Sequence, residues 1–420
     1  MHLLQIIIPF FIAGIGTCFA GILLDHVQHW VVFEKIDEFF LLLPALLGLK
    51  GNLQMTLASR FSTHSHLGHL QTQDDLLGLT CANLSLNQCL SIVISLSASI
   101  LVTAIEWLTV NNSSIDLQRT LIVATTALLT SSVTSFLLDI VMILVVQFAA
   151  HYNLNPDNVA TPLAASLGDI TALLLCSHLA SLLYAAKPHY AFYWITFGVI
   201  IFYLCMVPFW VLITRRNPHT NNVISKPEHW YPLMTAMSIS TVGGITLKLA
   251  VLNSADIALF QPVICGVGGN LVAVQASRLA SNLQLYCRPS ELPLGERVCV
   301  NPCNLLFSQR EGYRSTRLLI YIVIPGQIFF YFTCVLLNGD KKGPSIYFLI
   351  LYLAGSQILV IVLLYLAYVL TYWMWRYGVD PDSCTIPYLT SMSDAIGSVI
   401  ITFVCFIANP AQSHEGHTRP

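Results

Sequence analysis

The chain has 420 residues, of which 55% are hydrophobic and only 10% are charged, and its mean hydropathy is +0.70. A soluble protein carries about 25% charged residues, so this composition excludes a large water-soluble domain. The net charge of -2 argues against a nucleic-acid partner. Apolar runs long enough to cross a bilayer recur along the chain, which predicts an all-α polytopic membrane protein embedded in a lipid bilayer.

Eleven membrane helices are predicted from these runs. The first has no Lys or Arg ahead of its apolar stretch, which favours a membrane helix over a cleaved signal peptide. In chain order the predicted spans are 4–24, 36–58, 86–108, 119–148, 158–184, 190–213, 231–252, 257–280, 317–337, 345–375 and 384–407.

Two sequence motifs occur twice. PALLGLKGNLQMTLASR begins at Pro44 and aligns without gaps to PVICGVGGNLVAVQASR, which begins at Pro262, with eight of 17 positions identical. The pattern Pro-Asp, four residues, Pro, six residues, Asp ends at Asp169 and again at Asp394. Since both motifs recur in the same order and at nearly the same separation, they predict an internal repeat.

The repeat predicts four segments. Residues 1–185 form the first five-helix repeat, 186–229 a linking helix and a cytosolic loop, 230–410 the second repeat, and 411–420 a polar tail. Because five is odd, one linking helix is needed to give both repeats the same orientation. We therefore expect a two-fold axis along the membrane normal, a binding site between the halves, and a chain that works as a monomer with an internal pseudo-dimer.

The distribution of Lys and Arg predicts the orientation. With the N-terminus in the cytosol, eleven of these residues lie in inside segments and six in outside segments. Cytoplasmic loops carry such an excess, so we expect a cytosolic N-terminus and an extracellular or lumenal C-terminus, with the plasma membrane as the location.

Asp169 and Asp394 are the strongest candidate site residues, because each lies inside a predicted membrane helix at the same place in its repeat. A carboxylate there costs about 2.5–3.5 kcal/mol on insertion scales. Two such carboxylates beside a two-fold axis indicate a cation. Oxygen ligands suit Mg²⁺, which keeps most of its waters and needs only one or two carboxylates. The alternative is that each aspartate bonds locally to Ser166, Ser391 or a helix end.

Other repeat-related residues are candidates for the ion path. The glycines of the first motif allow close helix approach, and the prolines of the second fix or break local helix geometry and free backbone carbonyls. The asparagines either face the ion or join helices, and the first aspartates of the second motif either cap helices or attract cations. These candidates are Gly51, Gly269, Asn52, Asn270, Pro162, Pro387, Asp157 and Asp382, with Gly48 and Gly266 as further close-approach positions.

Two further charged residues lie inside predicted membrane helices, and the counterpart of Asp139 in the second half is apolar. Asp139 is interpreted as a local polar contact or as a proton or Na⁺ coupling site. Lys248 is interpreted as a counter-charge or as a side chain that reaches the membrane surface.

GLKGNLQMTLASR, NPDNVATPLAASLGD, GVGGNLVAVQASR and DPDSCTIPYLTSMSD together resemble the solute carrier 41 family of magnesium transporters, which is related to the bacterial magnesium channel MgtE. The resemblance covers nearly the whole chain. It implies two fused MgtE-like membrane domains that transport Mg²⁺, and other divalent cations, with Asp169 and Asp394 holding the hydrated ion. It also implies no tightly bound cofactor and makes Na⁺ a candidate coupling ion.

The chain departs from the family pattern at several places. The long N-terminal extension typical of the family is not seen, which suggests a short form or a fragment. Gln54 stands where Glu is expected, which would weaken cation attraction in the first half, and Ser393 stands where Gly is expected.

Two other functions were weighed against transport. An intramembrane aspartyl protease also needs two membrane aspartates, but its Tyr-Asp and Gly-x-Gly-Asp pairs do not occur here. A membrane receptor or scaffold would not need a duplicated acidic motif. The sequence therefore favours a cation channel or a Na⁺-coupled exchanger over an enzyme.

Overall fold

A computed structural model describes residues 4–66, 73–109, 116–152, 156–225, 227–251, 256–288, 290–293, 298–302, 314–339 and 345–408. Within these residues all regular structure is helical, and eleven helices are long and apolar enough to cross a membrane. The predicted number of spans and the all-α polytopic class are therefore confirmed.

The described helices follow the chain in a simple order. They are α1 (Leu4–Val27), α2 (Val31–Lys35), α3 (Glu38–His66), α4 (Gln73–Thr109), α5 (Leu117–His151), α6 (Pro156–Ala186), α7 (Phe192–Arg216), α8 (Pro218–Ser225), α9 (Pro227–Val251), α10 (Asp256–Tyr286), α11 (Arg314–Asn338), α12 (Ile346–Arg376) and α13 (Pro381–Ala408).

Several helix ends lie beyond the predicted spans. Helix α4 begins at Gln73 rather than at residue 86, and α3 continues to His66 rather than ending at residue 58. The predicted bounds followed apolar runs, whereas a helix continues through polar residues as long as each added residue closes a backbone hydrogen bond. The short helices α2 and α8 were not predicted for the same reason, since neither is a long apolar run.

Helices α3 and α10 form the centre of the bundle, and most of their residues are buried. Helix α3 packs against α4, α5 and α6, and also against α9 and α13. Helix α10 packs in the same way against α11, α12 and α13, and also against α1 and α6. This reciprocal packing is what a two-fold relation between the halves would produce, although the predicted segment boundaries stay a prediction.

Glycines permit two equivalent close contacts across the centre. A Cβ at Gly21 of α1 would overlap the carbonyl oxygen of Leu259 in α10. A Cβ at Gly244 of α9 would lie 2.6 Å from the carbonyl oxygen of Leu41 in α3. Both contacts require glycine, because backbones that approach this closely leave no room for a side chain. These two glycines also identify α1 and α9 as repeat-related helices. The number of residues between Gly21 and Gly244 is close to the number that separates the two copies of each motif.

Helix α7 lies at the edge of the bundle, against α4 and α5 of the first half. Almost none of its span is buried, and large apolar side chains such as Trp194, Ile201 and Phe202 are exposed. An apolar helix with such a surface suits contact with lipid. Its position agrees with the predicted role of a helix that links two compact halves.

Candidate functional site

A cavity of about 60 Å³ lies where α3, α6, α10 and α13 meet. Space of this size holds several water molecules, at roughly 10–15 Å³ for each water centre. Most of its lining residues form repeat-related pairs, and these are Pro44 with Pro262, Leu47 with Cys265, Gly48 with Gly266, Gly51 with Gly269, Asn52 with Asn270, and Asp169 with Asp394. The fold therefore places the candidates from both repeats around one small cavity.

The two aspartates are held differently. Asp394 accepts a hydrogen bond of 2.9 Å on Oδ2 from Ser240 Oγ of α9. Thr17 occupies the position of α1 that corresponds to Ser240 when Gly21 is aligned with Gly244. Unlike Ser240, Thr17 does not donate to an aspartate, because its Oγ1 donates to the carbonyl oxygen of Gly14 at 2.8 Å. Within the described part of the chain no side chain donates to Asp169, which therefore presents its carboxylate to the cavity without a fixed protein donor.

The alternative of local hydrogen bonding to the nearby serines is not supported. Ser166 Oγ donates to the carbonyl oxygen of Leu163 at 3.3 Å, and Ser391 Oγ donates to that of Tyr388 at 2.9 Å. In the described residues, the one side-chain donor to either of the two carboxylates is Ser240, which lies on another helix.

The asparagine pair also has unequal roles. Asn52 Oδ1 accepts a hydrogen bond of 2.5 Å from Thr390 Oγ1, which joins α3 to α13 across the two halves. The amide nitrogen of Asn270 is buried and has no hydrogen-bond partner in the regions described. The repeat-related counterpart of Thr390 is Ala165, since each stands at the same spacing before its aspartate, Asp394 or Asp169. Alanine has no hydroxyl group, so the first half offers Asn270 no equivalent of the bond between Thr390 and Asn52. Asn52 thus joins helices, and Asn270 keeps an uncommitted donor beside the cavity.

The glycines fall into two groups. A Cβ at Gly48 would lie 3.0 Å from both Asp394 Oδ2 and Ser240 Oγ, and one at Gly266 would lie 2.5 Å from Thr17 Cγ2. The expected close approach is correct for these two positions. It is wrong for Gly51, where a Cβ would meet nothing within 4 Å, and for Gly269, where the nearest contact would be an ordinary 3.7 Å. Gly51 and Gly269 line the cavity instead.

The prolines of the second motif do not end their helices. Helix α6 runs through Pro162 and α13 runs through Pro387, so the expectation of broken helices is wrong. Each proline is in the second turn of its helix, where its missing N–H removes one backbone hydrogen bond of the helix. Pro387 is buried. The side chain of Pro162 lies outside the part that the structure describes.

The predicted entrance carboxylates belong to the starts of two helices. The backbones of Asp157 and Asp382 lie in the first turns of α6 and α13, directly after the first helical proline. A carboxylate at a helix N-terminus interacts favourably with the helix dipole. Both side chains lie outside the described residues, so their role at the entrance stays a prediction.

Asp139 lies in a polar network on the other side of α3. It is fully buried, and its Oδ1 accepts hydrogen bonds from Gln54 Nε2 at 2.7 Å and from Asn87 Nδ2 at 2.9 Å. These bonds support the interpretation of Asp139 as a local polar contact. They also correct the expectation for Gln54, whose side chain faces Asp139 and does not line the cavity.

The same network holds a buried lysine that the sequence analysis did not identify as functional. Lys50 Nζ donates to Ser91 Oγ at 2.7 Å, to the carbonyl oxygen of Ser131 at 2.6 Å and to Ser135 Oγ at 2.7 Å. All three ammonium protons therefore have acceptors on α4 and α5. These hydrogen bonds connect α4 and α5 to α3, the helix that carries Gly48, Gly51 and Asn52. The repeat alignment could have drawn attention to it, because Gly268 occupies the equivalent position.

The cavity combines two carboxylates with neighbouring amides. In the described residues, no group of three or more His, Cys, Asp or Glu side chains comes together to hold a metal. Carboxylate and amide oxygens are ligands that suit hard cations such as Mg²⁺, which often keeps several of its own water ligands. Ser240 was missed by sequence reasoning because it lies outside both duplicated motifs, and Thr390 was missed because its counterpart in the first half is Ala165.

Comparison with known proteins identifies relatives of the whole chain. The family model MgtE, described as a divalent cation transporter, matches residues 43–179 and 261–404. Human solute carrier family 41 member 2 is 38% identical over 400 residues, which cover 95% of this chain and 69% of that protein. Mouse solute carrier family 41 member 3 is 35% identical over 406 residues, which cover 96% of this chain and 82% of that protein. No solved structure matches the chain significantly.

Proposed function

Because this chain belongs to the MgtE family of divalent cation transporters, we propose that it carries Mg²⁺, and other divalent cations, across a membrane through the cavity between its halves. The observation that carries this proposal is that Asp169 and Asp394, from repeat-related positions, border one cavity. The relatives are solute carriers, which are not enzymes. The aspartyl protease alternative is therefore set aside.

The charge of the cavity supports a divalent ion. Two carboxylates that face one small space repel each other, and this repulsion is strong because surrounding apolar groups screen it poorly. One divalent cation between Asp169 and Asp394 would neutralise both. Its bound waters would reach the amides of the lining, so the protein would contact the ion largely through its hydration shell.

Mg²⁺ enters this proposal as a transported ion. A transport site must hold the ion strongly enough to select it and weakly enough to release it. A site with few direct ligands meets both requirements, because the bound ion keeps most of its waters. The uncommitted amide of Asn270 and the absence of side chains at Gly51 and Gly269 would leave space for those waters.

Coupling to Na⁺ stays a prediction. Asp139 was the candidate coupling residue, but the positive side chains of Lys50 and Arg60 interact with it electrostatically. A Na⁺ ion bound at Asp139 would be repelled by these two positive side chains, which makes a Na⁺ site there unfavourable. We therefore assign Asp139 a structural role in the first half and propose that Na⁺ dependence, if measured, arises elsewhere.

The remaining proposals concern the setting of the protein. The distribution of Lys and Arg supports a cytosolic N-terminus, and we propose the plasma membrane as the location. We also propose that one chain suffices for transport, since both aspartates of the cavity come from the same chain.

Flux measurements test the proposed function. Purified protein in liposomes should pass Mg²⁺ into vesicles that hold a Mg²⁺ indicator, and Asp169→Asn and Asp394→Asn should each reduce the maximal flux at least about ten-fold. Asp116→Asn, an exposed aspartate in a surface ion pair, serves as the matched control and should leave flux unchanged. Wild-type flux in the D169N/D394N double variant would overturn the proposal.

A further inference from the structure

One ion pair joins the two halves at the end of the bundle that is predicted to face outside. Lys248 Nζ of α9 lies 2.9 Å from Glu106 Oε1 and 2.8 Å from Glu106 Oε2 of α4. It also lies 3.7 Å from Asp37 Oδ2, just before α3. The side chains of Lys248 and Glu106 are only 18% and 17% exposed, so water screens this pair less than an ordinary surface pair. Of the two interpretations of Lys248, the counter-charge is confirmed.

The helix that carries Lys248 also reaches the cavity. Ser240, which donates to Asp394, lies two helical turns earlier on α9, or about 12 Å along the helix axis. Between them, a Cβ at Gly243 would lie 3.0 Å from the carbonyl oxygen of Asp394. Helix α9 is therefore packed directly against the backbone of the cation site. A shift of α9 would change the contact between Ser240 and Asp394.

Helix α1 contacts the other half at the equivalent position. Asp25 occupies the position of α1 that corresponds to Lys248 in the alignment of Gly21 with Gly244. Its Oδ2 accepts a hydrogen bond of 3.4 Å from Asn338 Nδ2 at the end of α11. This bond joins the halves at the equivalent place. Among the contacts described here, α9 combines an ion pair between the halves with a hydrogen bond to a cavity aspartate, whereas Thr17 of α1 does not bond to Asp169.

We propose that Lys248 and Glu106 are positioning residues for the cation site. Their ion pair fastens α9 to the first half, and α9 in turn holds Ser240 against Asp394. The inference rests on the proposed function, because the affinity that it concerns is that for the transported cation. Loss of the pair should loosen the Asp394 side of the site and lower the apparent affinity for Mg²⁺, while the aspartates that carry the ion remain in place.

Flux against Mg²⁺ concentration in proteoliposomes tests this inference. Lys248→Met and Glu106→Gln should each raise the Mg²⁺ concentration for half-maximal flux about five-fold or more, the lower end of typical couplings between sites. Maximal flux should change less than about two-fold. Lys248→Arg should keep the wild-type value, and the charge exchange K248E/E106K should restore most of the affinity. Arg119→Met is the matched control, because it breaks an exposed ion pair within one half.

A second variant set tests whether the pair acts through Ser240. Ser240→Ala should raise the half-maximal Mg²⁺ concentration by itself, and adding Lys248→Met should raise it little further, because both changes remove the same restraint. If K248M does not fold, E106Q and S240A decide the question. Wild-type half-maximal concentrations in K248M and E106Q would overturn the inference, and so would a charge exchange that restores nothing. No flux in the wild-type protein would instead count against the proposed function.

Discussion

Ser240 Oγ donates a 2.9 Å hydrogen bond to Asp394 Oδ2, whereas the threonine at the equivalent position of α1 bonds to its own helix. The two repeat-related aspartates are therefore not equivalent. Asp394 is restrained by a neighbouring helix, and Asp169 faces the cavity without such a restraint. A transport site with one fixed and one free carboxylate can hold an ion on one side while its other contact changes.

The aspartate pair should behave as one unit. Asp169→Asn and Asp394→Asn each leave one carboxylate for a divalent ion, so each should remove most of the flux. The double variant should then lose little more than the stronger single variant, because residues of one site give non-additive effects. Initial rates of Mg²⁺ entry into proteoliposomes check this. Independent effects that multiply in the double variant would show that the two residues serve separate sites.

Gly48 and Gly51 should respond differently to an added methyl group. Gly48→Ala places a Cβ 3.0 Å from Asp394 Oδ2 and Ser240 Oγ, so it should disturb their hydrogen bond and reduce Mg²⁺ flux several-fold. Gly51→Ala meets no atom within 4 Å and should fold at least as well as wild type, because alanine favours helix. Flux and thermal unfolding of both variants are the measurement. A lower unfolding temperature in G51A than in G48A would contradict the described contacts.

Asn52 and Asn270 should separate stability from transport. Asn52→Ala removes the bond to Thr390 that joins the halves, so it should lower the free energy of unfolding by about 1 kcal/mol. Thr390→Ala should do the same, and the two effects should not add. Asn270→Ala breaks no hydrogen bond of its amide nitrogen and should alter Mg²⁺ affinity more than stability. Denaturation in detergent, with flux measured in parallel, checks all three variants.

The Lys50 network should stabilise the first half without coupling transport to Na⁺. Lys50→Met would remove the ammonium donor from three acceptors, of which Ser91 Oγ keeps a 3.1 Å bond from Ser135 Oγ. The cost should be roughly 1–3 kcal/mol for each group left unsatisfied. Asp139→Asn should also destabilise the protein but leave any Na⁺ dependence of flux unchanged. Measurements with and without a Na⁺ gradient decide this. A Na⁺ dependence present in wild type and lost in D139N would restore the coupling interpretation.

The sequence predicted the helices and the central residues well. Eleven apolar runs gave eleven candidate spans, because spanning a bilayer requires a long apolar helix. The duplicated motifs brought Asp169 and Asp394 to one cavity, because repeat-related residues meet where two halves face each other.

The contacts that distinguish the halves could not be predicted in the same way. Ser240, Lys248 and Lys50 act through residues distant in the sequence, and no spacing rule connects a residue of one helix to a particular atom of another. Gly51 was predicted to allow close helix approach because it shares a motif with Gly48, but only Gly48 of these two makes such a contact. Only the arrangement of the helices shows which of the two faces open space.

Equilibrium binding of Mg²⁺ to the purified protein tests the central claim most directly. Calorimetric titration of the wild-type chain and of the D169N/D394N variant compares the same protein with and without its two cavity carboxylates. We expect the wild type to bind Mg²⁺ and the double variant to lose that binding while its thermal unfolding stays cooperative. Equal Mg²⁺ binding by both proteins would show that the ion is held elsewhere and would contradict the account.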